Sequence, residues 1–246
     1  MTEPLLHPPV LLYHSLEELG VGDGSGAKLF ERQMAYLAHN GYRTLTPAQF
    51  VVAINDSVWD PKSLLLTFDD GFMDFYTDAF PVLRQSGLTA TVFLISDVVE
   101  QGLDAWKGPQ YPVTPPVMGW REVRELAEQG IGFGSHGVTH SKLGALKGAQ
   151  LADEAVRSKV AIERELGAGI QLFSYPYGDC SEATRSAVEA AGYAAALGVS
   201  PRESQRFEVF RRIIRPARTS IPFRLRVSGA YPALRRSLHA VRGDAL

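Results

Sequence analysis

Asp69 and Asp70 stand side by side at the end of an apolar run, Leu64-Leu65-Leu66-Thr67-Phe68, and Gly71 follows them. Bounded by Asp60-Pro61 before it and Gly71 after it, the run predicts a buried strand whose carboxyl end opens into a turn. Adjacent residues leaving a strand point in different directions, so one carboxylate can ligate a metal while its neighbour takes a proton. Taken alone, Asp-Asp-Gly serves as well for a simple turn or for the cap of a helix beginning near Met73. A second cluster, Ser135-His136-Gly137-Val138-Thr139-His140, ends the short glycine-punctuated segment Gly130-Ile131-Gly132-Phe133-Gly134. Its two imidazoles are four residues apart, a spacing that suits joint ligation of a divalent cation from one side of a turn. Alone, the pair fits a surface or core-satisfied histidine pair just as well. Two polar clusters at the ends of neighbouring strands of an α/β fold converge on one site, because such folds carry their chemistry at the carboxyl ends of strands.

A third motif, Tyr175-Pro176-Tyr177-Gly178, follows. Thr67-Phe68-Asp69-Asp70-Gly71, His136-x-x-x-His140 and this turn, in that order, resemble the polysaccharide deacetylases of carbohydrate esterase family 4. The similarity runs over residues 8–215 of the chain, with residues 216–246 as a basic tail. The resemblance implies a single domain built as a distorted (β/α) barrel of about seven parallel strands. It also implies roles. Asp70, His136 and His140 would hold a divalent metal, for which the ligand types suit Zn2+, with Co2+ or Ni2+ also accepted. Asp69 would be the base, the backbone N–H of Tyr177 would face the oxyanion, and Tyr175, Pro176, Gly178 and Trp106 would line the substrate groove. In most of the family the acid is a histidine in a Leu-x-His motif, for which Leu238-His239 is the nearby candidate. In a circularly permuted branch resembling the poly-N-acetylglucosamine deacetylases, a Tyr-His pair ends the first strand. Tyr13-His14 matches it, and His14 is the preferred acid.

The chain departs from the family pattern in two places. Ser174 stands where an arginine usually pairs with the catalytic aspartate, leaving Arg211, Arg212 or Arg215 to supply that charge from another strand. The usual Asp-x-x-Asp-Trp motif is absent. Both departures suit the permuted branch.

The elements that position these residues read as alternating strands and helices without an internal repeat, hence a parallel sheet. Val10 to His14 predicts the first strand, buried and ending in a histidine. Leu29 to His39 carries apolar residues at helical spacing, and Thr46-Pro47 opens a second helix with Thr46 as N-cap. A helix over 74–86, a strand over 89–95, a helix over 120–129 and the strand feeding His136 follow. The charges of the helix over 149–166 read as a solvated face. Strands over 171–175, 193–197 and 210–214, with a helix over 181–191, complete the count. Residues 100–119, with Trp106, Tyr111 and four prolines, predict a long irregular loop that either rims the substrate groove or packs its aromatics down.

With 246 residues, 45% hydrophobic and 21% charged, the chain is long enough for one α/β domain with a substantial core. A net charge of -2, with no basic run among aromatics near the motifs, argues against nucleic acid as a partner. The single cysteine, Cys180, rules out an intrachain disulfide, and nothing around it supports a nucleophile. The first nine residues lack a basic n-region and an apolar h-region, so the sequence as it stands predicts a cytoplasmic protein; a chain trimmed of a leader, secreted or periplasmic, would read the same. No apolar run is long enough to span a membrane. Nine arginines between 211 and 242 offer either a contact for an anionic glycan or lipid or a solvated final helix. The functional expectation is metal-dependent hydrolysis of N-acetyl groups on a glycan or its precursor. A small non-sugar amide as substrate, or a silent glycan-binding protein, are the alternatives.

Overall fold

In the computed structural model of the protein, residues 7–17, 25–101, 116–200, 205–214, 223–228 and Tyr231 are described. The first expected strand, β1 (Val10–Tyr13), lies parallel to β3 (Ser63–Phe68), Leu11 opposite Leu66 and Tyr13 opposite Phe68. Both are buried along their whole length. Burial on both sides explains why they read as continuous apolar runs rather than alternating ones. Beyond β3 the parallel order continues through β4 (Thr91–Leu94), β5 (Gly132–Ser135), β6 (Leu172–Ser174) and β7 (Ala195–Gly198). A short strand β2 (Arg43–Thr44) flanks the start of β3.

The ring is completed by one segment with a break in it. β8 (Val209–Phe210) pairs with β7, β9 (Arg212–Ile213) pairs with β1, and Arg211 alone separates them. The result is a nearly closed parallel barrel with eight strands along its path, of which the last two are one run of chain.

Side-chain alternation sorts the strand residues into two layers. Leu64, Leu66 and Phe68 of β3 join the outer layer under the helices, whereas Leu65 faces the barrel interior with Val10, Phe93, Leu172, Ala195, Leu197 and Val209. That interior is closed at the amino-terminal end of the strands by α2 (Pro47–Asp56), which contributes Phe50, Val51 and Ile54. Thr46 caps this helix as expected, its hydroxyl accepting from the Gln49 N–H while the Gln49 side chain accepts from the Thr46 N–H. Pro47 approaches β5 so closely that a Cβ at Gly132 would lie 2.5 Å from its ring. With one end plugged by α2, chemistry is left to the other.

Helices α5 (Trp120–Glu128), α6 (Ala149–Leu166) and α7 (Glu182–Ala190) match the expected spans to within a residue at each end, and α1 (Ser25–His39) begins four residues before the expected Leu29. The helix expected over 74–86 is instead a π-helical turn, Phe75–Ala79, running into α3 (Phe80–Ser86). Pro81 explains the widening: it has no N–H for the Thr77 carbonyl and its ring crowds that carbonyl, so the Phe80 N–H reaches back to Phe75 instead. A helix the sequence did not announce, α4 (Ser96–Gln101), follows β4, and a short helix, α8 (Phe223–Val227), lies in the basic tail, where a final helix was one of the two expectations. Among the described residues no helix is long and apolar enough to cross a membrane.

Candidate active site

The open end of the barrel is built by strands that stop and turn on the same few residues. By alternation Leu65, Thr67 and Asp69 share the inward face of β3, and the Asp69 N–H is tied to the Tyr13 carbonyl at 3.0 Å. At Asp70 the backbone turns left-handed, φ +75°, and Gly71 continues it at +74°. That reversal throws the Asp70 carboxylate sideways while Asp69 stays on the strand's inward line. Among the described residues only four other than glycine have positive φ, and three of them, Asp70, His140 and Tyr177, are here. Such backbone costs on the order of 1–3 kcal/mol per residue and persists where the surroundings over-determine it.

His136 leaves β5 with its N–H on the Leu94 carbonyl and its Nδ1 2.7 Å from the Ser174 carbonyl. A carbonyl only accepts, so Nδ1 carries the proton and Nε2 presents a lone pair to the site. That Nε2 lies 3.5 Å from Asp70 Oδ1, and His140 Nε2 lies 3.4 Å from the same oxygen. Burial lowers the His136 pKa to about 4, although Asp69 and the Ser174 carbonyl oppose it. Burial, with His136 beside it, lowers His140 to about 3. Two neutral imidazoles and a carboxylate, their ligand atoms all within 4.8 Å of one another, therefore face each other as electron-pair donors at neutral pH. That arrangement fits a divalent cation between them, and nitrogen and carboxylate donors in this ratio leave room for a further ligand.

Asp69 faces a different partner. Arg211, from the break between β8 and β9, grips it with both Nη atoms, at 2.7 Å to Oδ1 and 2.8 Å to Oδ2. The Ser174 hydroxyl donates to Asp69 at 3.1 Å and accepts from Arg211 at 2.8 Å. Burial by itself would raise the Asp69 pKa; the Arg211 guanidinium, with His136 behind it, outweighs burial and holds the carboxyl far below the ordinary range. The charge missing from the third motif is thus supplied by Arg211, with Ser174 as its bridge. Arg212 points the other way, donating to the carbonyls of Arg226 and Ser228, and Arg215 lies outside the described residues.

His14 follows β1 with the same parity as the inward Val10, half-buried, within electrostatic reach of Asp69, His136 and His140. The chain after it is tied down by Asp74, whose Oδ2 accepts from the Ser15 hydroxyl and the Leu16 N–H, both at 2.6 Å. The spacing gave no warning of Asp74, which lies on the turn after Gly71. His239 and Trp106 lie outside the described residues. The far end of the loop that carries Trp106 is described, however, and it returns to the site: Met118 N–H bonds the Gly71 carbonyl and Met73 N–H bonds that of Pro116.

The Tyr175–Gly178 turn divides its residues. Phe173 and Tyr175 fall on the outward parity of β6, so the Tyr175 ring is buried in the outer core and its hydroxyl donates to the Phe207 carbonyl at 2.8 Å. Tyr175 is therefore a packing residue rather than part of the groove lining expected of it. Pro176 is buried, whereas Tyr177, at φ +59°, places a half-exposed ring 4.5 Å from that of His140. Gly178, at φ +68°, sits where a Cβ would come within 2.2 Å of Val199. Cys180 lies just beyond with its thiol pushed up to about 11 by burial, which leaves it un-ionised and inert at neutral pH.

Fold and site together define a family. The chain belongs to the polysaccharide deacetylases, whose family model matches residues 56–196. It is 32% identical over 206 residues to YxkH of Bacillus subtilis (strain 168), named as a polysaccharide deacetylase, covering 83% of this chain and 69% of that one. A 98-residue stretch, 39% of this chain, is 33% identical to 15% of the poly-β-1,6-N-acetyl-D-glucosamine N-deacetylase of Escherichia coli (strain K12). Among solved structures, the deacetylase PplD of Streptococcus pyogenes, in complex with acetate, superposes with a TM-score of 0.75 at 22% identity, over 87% of this chain and 94% of that one. IcaB from Ammonifex degensii superposes at 0.69 with 23% identity, over 88% and 95% of the two chains. These likenesses establish the barrel.

Proposed function

We propose that this protein is a metal-dependent N-deacetylase that removes acetyl groups from N-acetylhexosamine residues of a glycan or glycan precursor. The observation that carries the reading is the buried triad Asp70, His136 and His140 set beside an aspartate held ionised by Arg211. The kinship of one stretch with a poly-N-acetylglucosamine deacetylase supports the choice of sugar.

Asp70, His136 and His140 would hold the cation, Zn2+ by donor type with Co2+ or Ni2+ also suited. Bound there, such an ion supplies two things: a lowered pKa for water and Lewis-acid polarisation of the amide carbonyl. The protein does the rest. Asp69 takes the proton from the attacking water. Arg211 keeps that carboxylate charged at the cost of basicity, so the transfer is favourable only when the water has itself been made acidic. The Tyr177 N–H, aimed by the left-handed turn, meets the developing oxyanion. His14, across the mouth, returns a proton to the departing amine so that acetate and a free amino sugar leave.

The test is acetate release from a series of N-acetylglucosamine oligomers by Zn2+-loaded protein, beside Asp69→Asn and His14→Ala. Loss of release in both variants, with metal content unchanged, is the expected result. Stoichiometric metal without cleavage of any oligomer would overturn the sugar assignment and favour a small non-sugar amide.

A further inference from the structure

Helix α6 carries seven charged residues between Asp153 and Glu165, and its pattern predicts a solvated polar face. Glu154 breaks that expectation: it is only 7% exposed. Among the described residues it has no ion-pair partner, so hydrogen bonds alone must offset the cost of burying it. All of its side-chain bonds go to the two residues just before His140. Oε2 accepts from the Val138 N–H at 2.7 Å and the Thr139 N–H at 3.2 Å, and Oε1 accepts from the Thr139 hydroxyl at 2.6 Å.

The grip extends one helical turn further. Ser158 donates to the Glu154 carbonyl at 2.6 Å and meets the Ser135 hydroxyl at 2.7 Å; that hydroxyl in turn accepts from the Gly137 N–H at 3.1 Å. From the opposite side, the N–H groups of Ser96 and Asp97 bond the carbonyls of Gly137 and Val138, each at 3.1 Å. The tripeptide 137–139 is thus fixed by donors to its carbonyls from one direction and by Glu154 on its N–H groups from the other. His136 and His140 are its two flanks. The turn they need is left-handed at both Gly137, φ +84°, which glycine adopts freely, and His140, φ +60°, where a side chain makes it strained.

We propose that Glu154 is the positioning residue of the metal site: by binding the Val138 and Thr139 N–H groups it holds both Nε2 atoms on Asp70. The inference rests on the metal reading above. A carboxylate suits the task because three donors converge on it, and bonds to an ionised acceptor are about twice as strong as neutral ones. Glutamine keeps one oxygen for the two N–H groups, and alanine leaves both unpaired.

The experiment measures Zn2+ affinity by competition with a chelating dye, together with Tm for the metal-free and Zn2+-loaded forms of each variant. Glu154→Ala should bind Zn2+ about ten- to a hundredfold more weakly, the range for losing a partner that orients metal ligands, and Glu154→Gln should fall between it and wild type. The rise in Tm on adding Zn2+ should shrink in step, since that rise reports affinity for the folded state. A merely structural glutamate would lower both Tm values equally and leave affinity alone, and that result would overturn the proposal. Where Glu154→Ala does not fold, Thr139→Val decides. It deletes one neutral donor and should weaken Zn2+ about two- to tenfold; unchanged affinity would overturn the inference. Wild type that takes up no stoichiometric Zn2+ would overturn the metal reading and this inference with it.

Discussion

Replacing Arg211 by methionine removes the cation while leaving Asp69 in place. The two side chains are 1% and 3% exposed and share two hydrogen bonds of 2.7 and 2.8 Å, so no solvent is at hand to take over. Removing one partner of a buried ion pair typically costs about 3–5 kcal/mol, because the surviving charge is uncompensated. For a domain of this size each kcal/mol moves Tm by about 2–4 °C, so metal-free Arg211→Met should melt about 6–20 °C below wild type. The pH dependence has a definite sign. The folded pKa of Asp69 is depressed, so its contribution is present above the ordinary aspartate pKa of about 4 and is lost as pH falls through the folded value. The gap between wild type and Arg211→Met should therefore be widest at neutral pH and close in acid. Asp69→Asn/Arg211→Met should be more stable than Arg211→Met alone, since it removes the stranded charge. Calorimetry on chelator-treated protein checks all three. A loss under about 1 kcal/mol at neutral pH, or a double variant no better than the single, would refute the reasoning.

Chelation should lower the Tm of wild type, and Zn2+ at a hundred times its Kd should restore about 2.7 kcal/mol, whereas His140→Ala should show neither response by differential scanning fluorimetry. Gly178→Ala should lose several degrees in Tm, and acetate release with them, because the left-handed backbone and Val199 at 2.2 Å both exclude a methyl group. Burial raises the Asp74 pKa to about 6 against its partners Ser15, Leu16 and Glu17. The folded protein then binds the extra proton, so this group's contribution is greatest below about 4 and falls as pH rises through about 6. Urea titrations at pH 4.5 and 7 should show that fall flattened in Asp74→Asn.

What was legible in the sequence had strong local rules behind it. The continuous apolar run of β3, the Thr46-Pro47 helix start and the ordered motifs each rest on neighbours in the chain, and the barrel followed from them. Ser174 and Arg211 were harder. Which of three arginines reaches Asp69 depends on strand parity around a break, and no local pattern records where a sheet closes. Glu154 and Asp74 were missed for a related reason: each is an acidic residue that accepts from backbone N–H groups of a loop outside its own element, with one hydroxyl beside them, and backbone donors leave no mark in sequence. Tyr175 was misassigned because the motif was read as a unit, when the pleat sends alternate residues to opposite sides.

The break at Arg211 also ties the setting of Asp69 to the order of folding. Leu11 pairs with Arg212, so the barrel closes by joining segments far apart in sequence, and among the described strand pairings this one has the greatest loop entropy to overcome. Until that seam forms, Asp69 has no guanidinium and the inward face of β1 has one neighbour instead of two. The histidine turn, by contrast, is held by α4 and α6, close to it in sequence. On the proposed reading, a chain that has gathered Asp70, His136 and His140 still lacks the guanidinium beside Asp69 until its last strand docks.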